Sequence, residues 1–270
     1  MKKTINSDSR STKELIESAY IIQDEGEYWH IIATLHERGS KTEFDAAKKL
    51  TDDPDPINRE IGADMLGQLG WSKRTFHKKS VAILKKLLSD SEPDVIASAA
   101  FALGHRNDPS AIPELLKLTG HPNPWVRHGV AFGLSCHDDN SAVNGLILLS
   151  QDAEFDVRNW ATFGLGSQCD IDNDQLRKAL IERTNDPEPE IRGEALIGLA
   201  KRKDERVIDK IAQELTGEFF GIWAVEAVSL FPSQQFEPLL VDLLNSLFDE
   251  NKKAFSDEIV KAITNCKNAN

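Results

Sequence analysis

Apolar residues recur along this chain at intervals of three and four, and that pattern itself repeats. Four ten-residue segments align without gaps: VIASAAFALG from Val95, VRHGVAFGLS from Val126, VRNWATFGLG from Val157 and IRGEALIGLA from Ile191. Their first residues, the anchors, lie 31, 31 and 34 positions apart. NREIGADMLG from Asn58 and, more weakly, EYWHIIATLH from Glu27 continue the series backward. IWAVEAVSLF from Ile222 continues it forward, and EIVKAITNC near Glu258 forms a degenerate end piece. Apolar side chains at offsets 0, 4 and 7 or 8 share one face at 100° per residue, so each segment predicts an amphipathic helix. In the repeat at Val157 these are Val157, Ala161 and Leu165, with Gly166 following as a terminator. A second apolar-periodic stretch precedes each of four anchors: SVAILKKLL, AIPELLKLT, AVNGLILLS and RVIDKIAQEL. Turns such as SDSEPD, GHPNP, QDAEFD and NDPEPE separate the two helices, and their Pro, Asp and Gly residues stop one and cap the next. No segment alternates like a strand, so the chain reads as all-α.

One helical hairpin cannot cover its own apolar stripe, whereas stacked hairpins share a continuous core. The repeat therefore predicts a single stacked domain over residues 25–270, with degenerate repeats at both ends. Residues 1–24 form an N-terminal segment, either partly disordered or a first cap helix.

The run D-P-x-x-x-V-R-x-x-A-x-x-A-L-G, present as DAEFDVRNWATFGLG and DPEPEIRGEALIGLA, resembles HEAT-like repeats of the bilin-lyase type. The resemblance covers about residues 25–265 and implies a right-handed α-solenoid, an α-α superhelix of the armadillo/HEAT type with about seven helical hairpins. The chain also resembles small bacterial HEAT-repeat proteins encoded beside Rhs-type toxin elements, most evidently in DVRNWA and EALIGLAKRKDERV. That likeness implies an immunity role. The repeat resemblance further implies a structural ladder between successive repeats, with Asp152 and Asp186 in the turns and Arg127, Arg158 and Arg192 after the anchors. Ile96 and Trp223 replace the Arg in their repeats and interrupt it.

In this repeat class the second helix of each hairpin lines the concave side. Offset 6 points about 240° from the anchor, where a solvated residue is expected. It is instead Phe101, Phe132, Phe163 and Ile197 in four successive repeats, flanked by small or polar residues that include His128 and Asn159. Trp125, Trp160 and the acidic Glu194 fall near the same zone. This row predicts a partner-binding groove on the concave face, because exposed aromatic clusters mark interaction sites. The other reading of the same residues is that each ring packs on the adjacent repeat. Glu60, Asp64 and Glu226 add carboxylates to that side.

Composition sharpens the choice of partner. The chain holds 32 Lys and Arg against 44 Asp and Glu, a formal charge of −12. Phosphate backbones are repelled by such a chain, which disfavours nucleic acid, while a basic protein is steered toward it. A six-residue excess between the anchors Asn58 and Val95 falls in GWSKRTFHKKS, where Lys73, Arg74, His77, Lys78 and Lys79 accompany Trp71 and Phe76. Such a segment suits an anionic surface, or it is a solvated connection. Three cysteines without C-x-x-C spacing suit free thiols in a reducing, cytoplasmic setting, and no stretch is long and apolar enough to span a bilayer. Seven histidines form no close metal-ligand set, His137-Asp138-Asp139 reads as a capping loop, and no nucleophile has a recognisable base beside it. Neither a cofactor nor a metal is expected. The sequence thus predicts a non-catalytic protein-binding scaffold, with a basic toxin as the partner that an immunity role would require. The alternatives are a bilin-lyase-like enzyme handling a chromophore and a HEAT protein binding DNA lesions.

Overall fold

The computed structural model describes residues 8–217, 222–247 and 249–269, and every described element is helical. The chain forms two compact units, Met1–His137 and Asp138–Asn270. The first contains α1 (Thr12–Ile21), α2 (Glu25–Arg38), α3 (Lys41–Leu50), α4 (Pro56–Gly67), α5 (His77–Leu87), α6 (Pro93–Arg106), α7 (Ile112–Leu116) and α8 (Pro124–Ser135). The second contains α9 (Asn140–Leu149), α10 (Phe155–Phe163), α11 (Asp174–Arg183), α12 (Pro189–Lys201), α13 (Ile208–Leu215), α14 (Ile222–Leu230), α15 (Phe236–Ser246) and α16 (Asp249–Lys267). Each anchor sits in an even-numbered helix, so the pairs α1–α2 through α15–α16 are the seven repeats and the end piece. The fold is an all-helical α-solenoid of the armadillo/HEAT class.

Helix starts follow from the turn chemistry. Pro56, Pro93, Pro124 and Pro189 occupy first-turn positions, where a missing N–H costs nothing. Asp55 and Asn123 accept a backbone N–H as side-chain caps. Near the amino end, Ser11 and Glu14 close a capping box on α1, and Ser40 with Glu43 close another on α3. Helix α10 ends differently, running into a π-turn over Gly164–Gln168.

Within each unit the even-numbered helices lie side by side. In the first unit α6 packs against both α4 and α8. Val95 through Ala100 are all buried, and small residues permit the close approach. A Cβ on Gly129 would sit 2.9 Å from the Ala97 carbonyl oxygen, and one on Gly133 would sit 3.1 Å from that of Ala100. In the second unit α12 packs against α10 and α14, and α14 against α16. No described helix is long and apolar enough to cross a membrane.

Candidate protein-binding surface

Two kinds of predicted residue, the ladder and the aromatic row, separate once side chains are placed. Arg158 and Asp186 form the ladder contact in full: Nε lies 2.8 Å from Oδ2, Nη2 lies 3.3 Å from Oδ1, and both side chains are largely buried. Arg192 occupies the same register but reaches Glu214 near the end of α13, with Nε–Oε1 2.5 Å. The register also holds a pair that sequence reasoning missed, Arg59 with Asp90, bonded through Nε and Nη2 at 2.8 Å each. Its signal was available, because Arg59 directly follows the anchor Asn58 and Asp90 lies in the next turn.

Each of these arginines also clasps its own repeat. Arg59 Nη1 donates to the carbonyls of Asp53 and Pro54, and Arg127 Nη1 to those of His121 and Pro122. Arg158 Nη1 does the same with Asp152 and Ala153, and Arg192 Nη1 with Asp186 and Pro187. The Asp152 carboxylate in turn accepts the Glu154 N–H at 3.0 Å. One guanidinium thus fixes the turn behind it, and at Arg59, Arg158 and Arg192 it also holds an acid of the next repeat.

In the first unit the aromatic positions gather into one cluster. The Phe101 ring lies 5.0 Å from Trp125, 5.1 Å from His128 and 5.5 Å from Phe132, centroid to centroid. His105 meets the Phe132 ring edge-on at 4.9 Å. Phe132 leans onto α6 because Gly104 has no side chain: a Cβ there would be 2.7 Å from the ring. Packing on the adjacent repeat is therefore real, yet it does not hide the cluster. Phe101, His128 and Phe132 are only half-buried and Trp125 keeps 46 % of its surface exposed.

Offset 6 of α4 is Asp64, which is buried and so does not extend the exposed row. Its carboxylate accepts the Tyr28 hydroxyl at 2.6 Å and a further hydrogen bond from Ser98. Burial, reinforced by the Glu60 charge, pushes the Asp64 carboxyl up to about 7. Glu60 is raised as well, first by burial and then by Asp94. Tyr28 escapes sequence reasoning, since nothing in its local pattern distinguishes it from a core aromatic.

The second unit carries a shorter version. Trp160 and Phe163 meet edge-on at 5.4 Å, and both are half-buried, as is Asn159. Ile197 does not extend this surface. It is only 5 % exposed, because α12 is buried without a break from Ala195 to Ala200 beneath α10, the π-turn and α14. The expectation for Ile197 is corrected accordingly. Glu194 accepts the Ser167 hydroxyl at 2.5 Å, and burial raises its carboxyl despite hydrogen bonds from Ser167 and Trp223. Trp223, where the ladder arginine is missing, lies against Gly193, at which a Cβ would come within 2.5 Å of it.

The remaining titratable candidates have structural partners. Asp139 caps α9 through the Ser141 and Ala142 N–H groups, and Asp138 accepts from Asp170 and Ile171 N–H and from the Cys169 thiol. Burial raises the thiols of Cys136, Cys169 and Cys266, which opposes nucleophilic thiolate formation. Among the described residues, no group of three or more His, Cys, Asp or Glu side chains is placed to hold a metal ion.

The repeat register matches known proteins. A HEAT-repeat family model matches residues 80–166 and 145–218, together just over half of the 270 residues. The chain belongs to the HEAT-repeat family. Among HEAT-repeat and related proteins, it is 33 % identical over 81 residues to YibA of Escherichia coli, a match covering 30 % of this chain and 29 % of YibA. The sequence match therefore spans less than a third of that relative's length. In structure, YibA superposes with a TM-score of 0.73 at 27 % identity, covering 96 % of this chain and 93 % of YibA. Kap121p aligns with a TM-score of 0.65 at 13 % identity, over 86 % of this chain and 30 % of its own. The CpcE–CpcF complex of phycocyanin lyase from Nostoc sp. aligns at 0.50 and 16 % identity, over 97 % and 96 % of the two chains. These last two likenesses concern the fold alone. HEAT and armadillo repeats form a scaffold suited to protein binding, and that description applies to this chain.

Proposed function

We propose that this HEAT-repeat chain is a non-catalytic scaffold that binds a basic protein on the face presented by its even-numbered helices. The observation that carries this reading is the half-exposed cluster of Phe101, Trp125, His128 and Phe132 in the first unit. Rigid aromatic side chains supply large contact area at low entropy cost, and binding hot spots are enriched in them. Carboxylates at Glu60 on the preceding repeat and at Asp94 on the helix that carries Phe101, together with the net charge of −12, favour a cationic partner. The narrower reading is an immunity or inhibitor protein that occludes a basic toxin in the cytoplasm. Nucleic acid is disfavoured because this surface presents rings and acids rather than rows of lysine and arginine.

The test is affinity capture from the native host with cross-linking, followed by calorimetric titration of the recovered protein. Replacing Phe101 and Trp125 together by Ser should weaken that protein's binding by at least about tenfold, a loss of about 1.4 kcal/mol, with the helical fold retained. Recovery of no protein partner, or unchanged affinity in the double variant, overturns the reading.

A further inference from the structure

Elsewhere in the first unit, the stretch between α4 and the end of α5 reverses the character of the chain. Residues 71–89 hold Lys73, Arg74, Lys78, Lys79, Lys85 and Lys86 without a single carboxylate, while the rest of the chain holds 26 basic against 44 acidic side chains. Trp71 stands in the same stretch at 66 % exposure, the highest of any large aromatic among the described residues.

This stretch is held rather than loose. Gly70 N–H donates to the His36 carbonyl at 2.8 Å, Thr75 Oγ1 to that of Gly39 at 2.9 Å, and Arg74 Nη1 to that of Arg106 at 2.9 Å. Phe76 stacks on Phe44 with ring centroids 4.4 Å apart. Two non-glycine residues, Arg74 at φ 46° and Phe76 at φ 54°, adopt left-handed backbone that only such surroundings would maintain. Gly39 and Gly70 are also left-handed and so close that a Cβ on Gly39 would sit 2.4 Å from Gly70 Cα. The pinned turn keeps Trp71 and Lys73 presented to solvent without further ordering.

Along α5, Lys78, Ala82 and Lys85 stand on one face at helical spacing. They line a groove of about 470 Å³ together with Val81, Asp108 and Ser110. Its floor is methyl-lined and its rim carries two ammonium groups. Asp108 is already engaged by the Ser110 N–H at 3.0 Å and by His77 Nε2 at 3.0 Å, and Lys85 reaches the Ser110 carbonyl and Glu114.

We infer that this groove and the pinned Trp71 turn form a second interaction surface, which takes a short acidic protein segment bearing an apolar anchor. Length and charge select that occupant. Helix α5 has 11 residues and spans roughly 16 Å at 1.5 Å per residue, enough to meet a stretch of acidic side chains. A duplex or a membrane plane extends well beyond that and meets the acidic remainder of the chain, whose repulsion acts over about 10 Å in ordinary salt. The surface uses none of the residues assigned to the aromatic cluster, so the two proposals stand or fall separately.

The test is fluorescence anisotropy of a labelled dodecapeptide rich in Asp and Glu with a central Leu, titrated with the intact chain at low and moderate salt. Saturable binding that weakens with salt is expected. Lys78→Glu and Trp71→Ser should each weaken it by about tenfold, while Phe101→Ser with Trp125→Ser leaves it unchanged. Unaltered thermal unfolding of the two surface variants shows that the loss is local. The inference is overturned if the acidic peptide binds no better than a neutral peptide of equal length, or if neither variant changes its binding. It is equally overturned if oligothymidine or phosphatidylserine vesicles bind more tightly than the peptide.

Discussion

Arg158 bonds Asp186 across successive repeats through Nε at 2.8 Å, while its Nη1 holds the Asp152 carbonyl at 2.8 Å. A single guanidinium thus ties the turn that starts its own helix to the turn of the next hairpin. The Asp186 side chain is 2 % exposed, so removing the cation leaves a buried carboxylate with less compensation. Arg158→Ala should therefore destabilise the chain by about 3 kcal/mol in urea unfolding. A double-mutant cycle with Asp186→Ala should show strong coupling, and additive losses would contradict the ladder reading.

Arg106 makes a comparable prediction without a carboxylate. It is 1 % exposed and donates from Nε to the Leu66 carbonyl at 2.7 Å and from Nη2 to that of Leu69 at 3.3 Å. Burial, with Arg74 nearby, lowers its guanidinium to about 10. Arg106→Leu leaves carbonyls at the end of α4 without their donor and should cost about 2–4 kcal/mol, measured by the same unfolding. A loss under about 0.5 kcal/mol would show that another donor replaces it.

Asp64 and His36 give the first unit opposing pH dependences. Asp64 is raised from about 4 to about 7 by burial, so between those values the folded chain binds more protons and stability falls as pH rises. Burial lowers His36 to about 4 from its ordinary 6.5; here the unfolded chain binds more protons and stability rises with pH through that window. Asp64→Asn should therefore make thermal stability climb more steeply from pH 4 to 6.5 than in the parent. A profile parallel to the parent's would contradict the assignment.

Gly104 and Gly193 are seats for aromatic rings. Gly104→Ala should displace Phe132, alter the near-ultraviolet circular dichroism, and destabilise by about 1–3 kcal/mol. Gly193→Ala should do the same through Trp223. A neutral effect at Gly104 would mean that the Phe132 ring is free to swing aside.

Helix pairing is legible in the sequence because the apolar period and the turn residues repeat together, as at Val126 and Val157. The ladder is legible for Arg158 and Asp186 through the family pattern. For Arg192 only the position is legible, because its partner Glu214 comes from a helix end rather than a turn. The aromatic row is legible as a set of positions, but offset alone cannot report how deeply a neighbour covers it: Phe101 stays half-exposed whereas Ile197 is enclosed. The stretch after Gly70 reads equally as a solvated connection, because Thr75 and Phe76 are pinned by partners more than 30 residues distant, Gly39 and Phe44.

The proposed function requires that a protein partner seat on the Phe101–Trp125–Phe132 cluster. Hydrogen–deuterium exchange on the chain, alone and with the captured host partner, tests that most directly. Protection centred on the exposed start of α8 and on α6, lost in the Phe101→Ser, Trp125→Ser variant, is the predicted result. Protection confined to other helices, or none at all, would contradict it.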